Sequence, residues 1–189
     1  MNVQVVPLIS AQRVNNRHQS HASTSALLAT APGYVELKFD FFCISGARTM
    51  KLLHSKVGEL EAYRFNPDDH CRLAILVDPE ISGGAFTWFL EIHDPGDRVP
   101  AHTHHSAIEA FFVIRGKVIF HTEEGVLLAE GGDSVVTPSD DVHDFENPGP
   151  GRVYLITLLG NDGGEFARLL RAGLPTPLDA EDLEVLRNL

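Results

Sequence analysis

At 189 residues the chain has the length of one domain with extensions, and its 43% hydrophobic residues are enough for one sizeable core. The formal net charge of −11 would repel a phosphate backbone, so we expect no nucleic-acid partner. No apolar run approaches the ~20 residues that cross a bilayer, and no secretory signal is recognisable. We therefore expect a cytoplasmic protein without a membrane partner.

The first residues differ in composition from the rest of the chain. Residues 1–33 are rich in polar residues and lack apolar periodicity, which predicts a partly ordered N-terminal arm. From residue 34 short apolar stretches alternate with turn residues, and a barrel including N-terminal strands is predicted over 34–160. Cys43 and Cys71 form no Cys-x-x-Cys pair. Buried free thiols are the favoured interpretation, with a disulfide or a metal role as the alternative.

The strand signal is densest in the middle of the chain. Apolar stretches from AFTWFLEI to RVYLITLL follow one another at intervals of roughly a dozen residues or fewer, and turns such as Asp94-Pro95-Gly96 separate them. This spacing predicts an all-β sandwich or barrel.

The last segment, 161–189, changes to a helical pattern. Asp162 is placed to cap one short helix, and Asp179 a second one after the Pro175-Thr176-Pro177 break. We expect both helices to pack on the outside of the barrel.

Two segments carry residues suited to metal binding. In GDRVPAHTHHSAIEAFFVIRG, His102 and His104 lie two apart, so on a strand they present two imidazoles to the same side, and Glu109 follows five residues later. In GDSVVTPSDDVHDFEN, His143 lies near the start of a strand and offers a third imidazole. We predict that these four residues bind one ion.

Both segments resemble the two motifs of the cupin family. The first matches Gly, five residues, His-x-His, four residues, Glu, six residues, Gly at every fixed position. The second has Gly132, Pro138, His143 and Asn147 in place, with Asp140 where Gly is usual. Because Asp tolerates left-handed backbone, this departure concerns the turn more than the ion. The resemblance implies a double-stranded β-helix, the cupin jelly-roll barrel, and a homodimer.

Three neutral imidazoles and one carboxylate suit one divalent transition metal ion: Fe, Mn, Ni, Co, Cu or Zn. A six-coordinate ion would keep two positions for water or substrate, which indicates chemistry rather than fold stabilisation. The resemblance to small quercetinase-like cupins implies a metal-dependent dioxygenase that acts on a small organic substrate. The alternatives are a cupin isomerase, lyase or decarboxylase, and a non-catalytic module that binds a small molecule or a metal.

Further site residues are predicted from their positions. Glu109 is a candidate base as well as a ligand, and His121 is a candidate acid, base or substrate contact. The other histidines match no ligand position, so surface or hydrogen-bonded roles are expected for them. Aromatic residues on the predicted strands serve either core packing or an apolar pocket near the metal; the pocket candidates are Trp88, Phe111, Phe120 and Phe145.

Overall fold

The computed structural model describes residues 54–189. The predicted arm at 1–33, the predicted strands at 34–53 and Cys43 lie outside the described residues. The described part begins with a 3-10 turn at Val57–Glu59 and contains two α-helices, α1 (Glu165–Arg171) and α2 (Ala180–Arg187). Its strands are β1 (Ala62–Arg64), β2 (Cys71–Val77), β3 (Phe86–His93), β4 (Arg98–His102), β5 (Ile108–Arg115), β6 (Lys117–Thr122), β7 (Gly125–Glu130), β8 (Ser134–Thr137), β9 (His143–Glu146), β10 (Val153–Gly160) and β11 (Leu174–Pro175).

The strands form two antiparallel sheets that face each other. One sheet has the order β11-β1-β2-β3-β10-β5-β8 and the other β4-β9-β6-β7. Buried side chains from both sheets pack into one cluster: Phe111, Val113, Val118, Phe120, Ala129, Phe145, Val153 and Leu155. This arrangement confirms the all-β double-stranded β-helix expected from the sequence.

The alternation of side chains along β5 and β9 places Glu109 and His143 on the inner face. On β5, Glu109, Phe111 and Val113 are buried, whereas Phe112 between them is 44% exposed. On β9, His143 and Phe145 are likewise buried. Because side chains two apart share one face, the aromatic residues that fill the core also bring Glu109 and His143 to the inner surface.

The turn before β9 contains the residue that replaces the usual glycine. Asp140 has a φ of 71°, in the left-handed region that Asp tolerates better than most residues. Its backbone N–H donates to the carbonyl of His104 over 3.0 Å, and its carboxylate lies 3.0 Å from Nδ1 of His105. The turn therefore keeps its left-handed conformation and contacts the loop that carries His104.

The two helices have different neighbours. The first begins where Asp162 accepts hydrogen bonds from the backbone of Gly164 and Phe166. It packs against Phe89 and Leu159 on the inner side of the large sheet, so the expectation of two outer helices is wrong for α1. The reason is that α1 has an apolar face, which it buries against the inner surface of the large sheet. The second helix packs Val185 against the opposite side. Within residues 54–189 no helix is long and apolar enough to cross a membrane.

Candidate metal centre

The four predicted ligands come together from three strands and one loop. His102 ends β4 and His143 begins β9, and the two residues are directly paired across these strands. His104 follows in the loop, and Glu109 lies near the start of β5. The possible ligand atoms of all four residues lie within 4.8 Å of one another.

The carboxylate of Glu109 lies between the imidazoles. Its Oε2 is 2.9 Å from His143 Nε2, 3.3 Å from His104 Nε2 and 4.0 Å from His102 Nε2. Glu109 and His143 are buried, at 5% and 2% exposure, so the carboxylate is shielded from solvent. A buried carboxylate facing several imidazoles needs a compensating proton or cation.

Backbone carbonyls orient two of the rings. His102 Nδ1 lies 2.9 Å from the carbonyl of Pro100, and His143 Nδ1 lies 3.1 Å from that of Asp141. Each Nδ1–H can donate to its carbonyl, which leaves the Nε2 lone pair free to bind a metal. This arrangement is typical of metal-binding histidines.

The ring of His104 tests whether the four residues fit a metal ion. His104 Nε2 is buried and has no hydrogen-bond partner among residues 54–189, although the Glu109 carboxylate lies 3.3 Å away. Buried polar atoms are rarely left unpaired, and a metal ion would satisfy this nitrogen. The four residues therefore fit one divalent ion.

The pKa shifts of these groups follow from their contacts. Burial opposes ionisation of Glu109, but the hydrogen bond from His143 and the charges of His104 and His143 outweigh it and hold the Glu109 pKa below its ordinary value. Burial lowers the pKa of His102. Burial also opposes protonation of His143, yet its hydrogen bond to Glu109 prevails and raises the pKa. The carboxylate is therefore ionised at neutral pH and available as a ligand.

Metal affinity should depend on pH. We expect it to fall by more than ~10-fold between pH 7 and 5, because protons compete with the ion for the imidazole nitrogens and a free histidine titrates near pH ~6.5. Competition titrations with a chelator at each pH would measure the dissociation constant. A constant affinity from about pH 8 to 5 would contradict histidine ligation.

A cavity of about 820 Å³ adjoins the four residues, and His102, His104 and Glu109 form part of its wall. Its size is within the usual range for small-molecule sites. The apolar part of the wall includes side chains from the large sheet, from β9 and from α1: Phe65, Leu73, Phe89, Phe145, Leu159, Phe166 and Leu169. The helix that the sequence placed outside the barrel thus helps to enclose the cavity.

The four aromatic residues predicted for the pocket lie at different places in the structure. Phe145 lines the cavity, whereas Phe111 and Phe120 lie inside the core cluster, with the Phe111 ring centroid 6.2 Å from that of His143. Trp88 is 37% exposed and does not line the cavity, because the neighbouring Phe89 occupies the inward position on β3. Of the four pocket candidates, the structure thus places Phe145 on this cavity wall and Trp88, Phe111 and Phe120 elsewhere.

His121 also lies away from the four ligands. Phe120 points inward on β6, so His121 points outward, where its Nε2 lies 3.6 Å from Glu146 and 3.9 Å from Asp144. It does not line the cavity, and its predicted role as acid, base or substrate contact is not supported by this position.

Sequence reasoning missed another polar group on the cavity wall. Glu91 and His93 alternate on β3, and Asp97 and Cys71 lie beside them. The pattern Glu-x-His on a strand is the same signal that identified His102 and His104. His93, however, lies outside both motif segments.

Residues 89–158 match the family model described as Cupin domain. No curated protein matches the sequence significantly. Among solved structures, a predicted oxalate decarboxylase from Thermotoga maritima is similar, with a TM-score of 0.53 and 19% identity over 57% of this chain and 98% of that one. An RmlC-like cupin from Shewanella frigidimarina gives a TM-score of 0.51 and 15% identity over 61% of this chain and 96% of that one. At these identities the similarity is one of fold.

Proposed function

We propose that this chain, whose residues 89–158 match the cupin domain model, is a metal-dependent enzyme, a dioxygenase that acts on a small, oxygen-rich organic substrate. The observation that carries the proposal is the convergence of three imidazoles and one buried carboxylate, of which His102, His104 and Glu109 line a cavity of about 820 Å³. A site that only stabilised the fold would be closed and would not line such a space.

The ligand set suits the proposed chemistry. Four protein ligands leave two positions on a six-coordinate ion, and a bound ion would polarise the substrate oxygens and bring substrate and O₂ together. Dioxygenation transfers both atoms of O₂ to the substrate, so no external reductant is required. A substrate with two neighbouring oxygen atoms would chelate the ion.

The residues of the chain have separate roles in this proposal. His102, His104 and His143 hold the ion, and the carbonyls of Pro100 and Asp141 keep two of these rings oriented. Glu109 is the remaining ligand and the proposed base, since it is the carboxylate of the group and can accept the proton of a substrate hydroxyl. The apolar wall that includes Phe145 excludes water from the substrate.

The alternative is a cupin module that binds a small molecule or a metal without catalysis. Both proposals need the same four ligands, so ligand geometry does not distinguish them. They differ in whether the bound ion exchanges water for substrate and whether O₂ is consumed.

The distinguishing experiment uses the open coordination positions. With Co(II) or Cu(II) bound, diketones, flavonols or 2-hydroxy acids should change the visible spectrum, and at least one of these compounds should support oxygen uptake by the protein loaded with Fe(II), Mn(II), Ni(II), Co(II) or Cu(II). His102→Ala and Glu109→Ala should abolish both responses.

His105→Ala is the matched control, because the His105 side chain, although it borders the cavity, is 92% exposed and contacts Asp140 rather than the four ligands. It should keep both responses. A metal-loaded protein whose spectrum ignores every compound, and which consumes no oxygen with any of them, would favour the binding module.

A further inference from the structure

A second group of metal-binding side chains lies on the wall of the same cavity. Cys71 begins β2 and His93 ends β3, and the two residues are paired directly across these strands. Asp97 follows in the turn after β3. The Cys71 sulfur, a ring nitrogen of His93 and a carboxylate oxygen of Asp97 all lie within 4.8 Å of one another. None of these residues belongs to the four-ligand centre.

The ring of His93 is held in one orientation. His93 is 3% exposed, with Nδ1 2.6 Å from Asp97 Oδ2 and Nε2 3.1 Å from Glu91 Oε2. Glu91 in turn accepts a hydrogen bond from the hydroxyl of Thr157. A carboxylate behind one ring nitrogen, with the other nitrogen facing further ligands, is the arrangement that orients histidines at metal sites.

The charges around this group favour a cation. Burial raises the pKa of Cys71 to about 12, and the negative charges of Asp97, Glu91 and Asp69 add to the effect. Two carboxylates face one imidazole, so even a protonated His93 leaves a net negative charge in a buried place. This negative charge attracts a divalent ion, whose binding would release the thiol proton.

We propose that Cys71, His93 and Asp97 form a second metal site that takes a thiophilic divalent ion such as Zn(II), with Glu91 as a positioning residue behind His93. Sulfur, nitrogen and oxygen donors together suit Zn(II), and three protein ligands leave a fourth position for water or for a molecule in the cavity. The inference does not rest on the proposed dioxygenase activity, because the two sites share no ligand.

The test uses Co(II) as the probe, added to the full chain. A thiolate bound to Co(II) gives a charge-transfer band in the near ultraviolet, and the four-ligand centre has no sulfur to produce it. We expect two Co(II) per chain and a clear band. Cys71→Ser should abolish the band and leave one ion per chain, and Asp97→Asn should weaken binding at the same site.

Three variants serve as comparisons. Cys43→Ser removes the other cysteine of the chain and should keep the band. His104→Ala should keep the band while losing the ion of the four-ligand centre, which separates failure of one site from failure of the other. Glu91→Gln should keep the band at saturation but weaken Co(II) binding at this site by about 10- to 100-fold, as expected for loss of a supporting carboxylate.

Two results would overturn the proposal. One is a wild-type protein that binds a single Co(II) at saturation and shows no thiolate band. In that case His93 would only bridge the carboxylates of Asp97 and Glu91, and no metal would bind there. The other is a band that survives in Cys71→Ser and disappears in Cys43→Ser. Circular dichroism of each variant establishes that the comparison is made between folded proteins.

Discussion

His104→Ala is expected to reduce metal affinity at the four-ligand centre by more than ~100-fold, because losing a direct ligand costs at least as much as the 10- to 100-fold measured for supporting residues. The fold should remain intact. His104 Nε2 has no hydrogen-bond partner among residues 54–189, so its removal breaks no hydrogen bond within that part of the chain. Equilibrium dialysis against a metal buffer gives the affinity, and denaturant unfolding of the metal-free protein gives the stability.

The neighbouring residue supplies the control for this experiment. His105→Ala removes an imidazole that is 92% exposed and contacts Asp140 rather than the ligands, so metal affinity should stay within about twofold of wild type. If His104→Ala retains about one tightly bound ion at this centre, or if both variants lose metal equally, the assignment of His104 as a ligand is wrong.

Asp182→Ala should lower the free energy of unfolding by about 3–5 kcal/mol, the range for breaking a buried ion pair by removing one partner. Asp182 is fully buried at 0% exposure. It accepts hydrogen bonds from Arg72 Nε at 3.1 Å, Arg152 Nη1 at 3.0 Å and the Tyr154 hydroxyl at 3.2 Å. Its loss leaves Arg72 and Arg152 without this buried partner and breaks the contact between Arg72 and α2, whereas Arg152 keeps its contact with Glu181.

The same residue also stabilises the start of α2. The side chains of Asp179 and Asp182 each accept a hydrogen bond from the other residue's backbone N–H, which forms a capping box. Asp182→Asn keeps the size of the side chain but removes its charge, so comparison with Asp182→Ala separates the electrostatic loss from the loss of packing.

Glu181→Ala is the matched control for Asp182. Glu181 contacts the same Arg152 at 3.2 Å, but its side chain is 59% exposed, so solvent screens the pair and its removal should cost less than about 1 kcal/mol. Chemical denaturation of the metal-free proteins measures both changes. If Asp182→Ala and Glu181→Ala lower the free energy of unfolding equally, burial does not strengthen the interactions of Asp182.

Much of the metal centre was predictable because its signal is local. His102 and His104 share a face through strand alternation, and the cupin motif spacing adds Glu109 and His143. The structure brings one possible ligand atom from each of these four residues within 4.8 Å of the others. The all-β class followed from the regular spacing of apolar stretches and turns, and it is confirmed.

The side-chain directions that the sequence left open have a common cause. Trp88 and Phe89 are adjacent aromatic residues on β3, and alternation requires that they face opposite sides without saying which side is inner. The same ambiguity affected His121, whose neighbour Phe120 fills the core. For α1, amphipathic spacing predicted a buried face but not which side of the sheet it would cover.

By itself, the sequence determined the all-β class, the strand spacing and the group of four candidate ligands, because each depends on short-range periodicity or on a spaced motif. Only the tertiary structure decided which aromatic residues line the cavity and how Cys71 meets His93 and Asp97. It also decided how Arg72 reaches Asp182, 110 residues away. Such contacts depend on strand pairing and sheet closure, which bring distant residues together at positions that local periodicity does not specify.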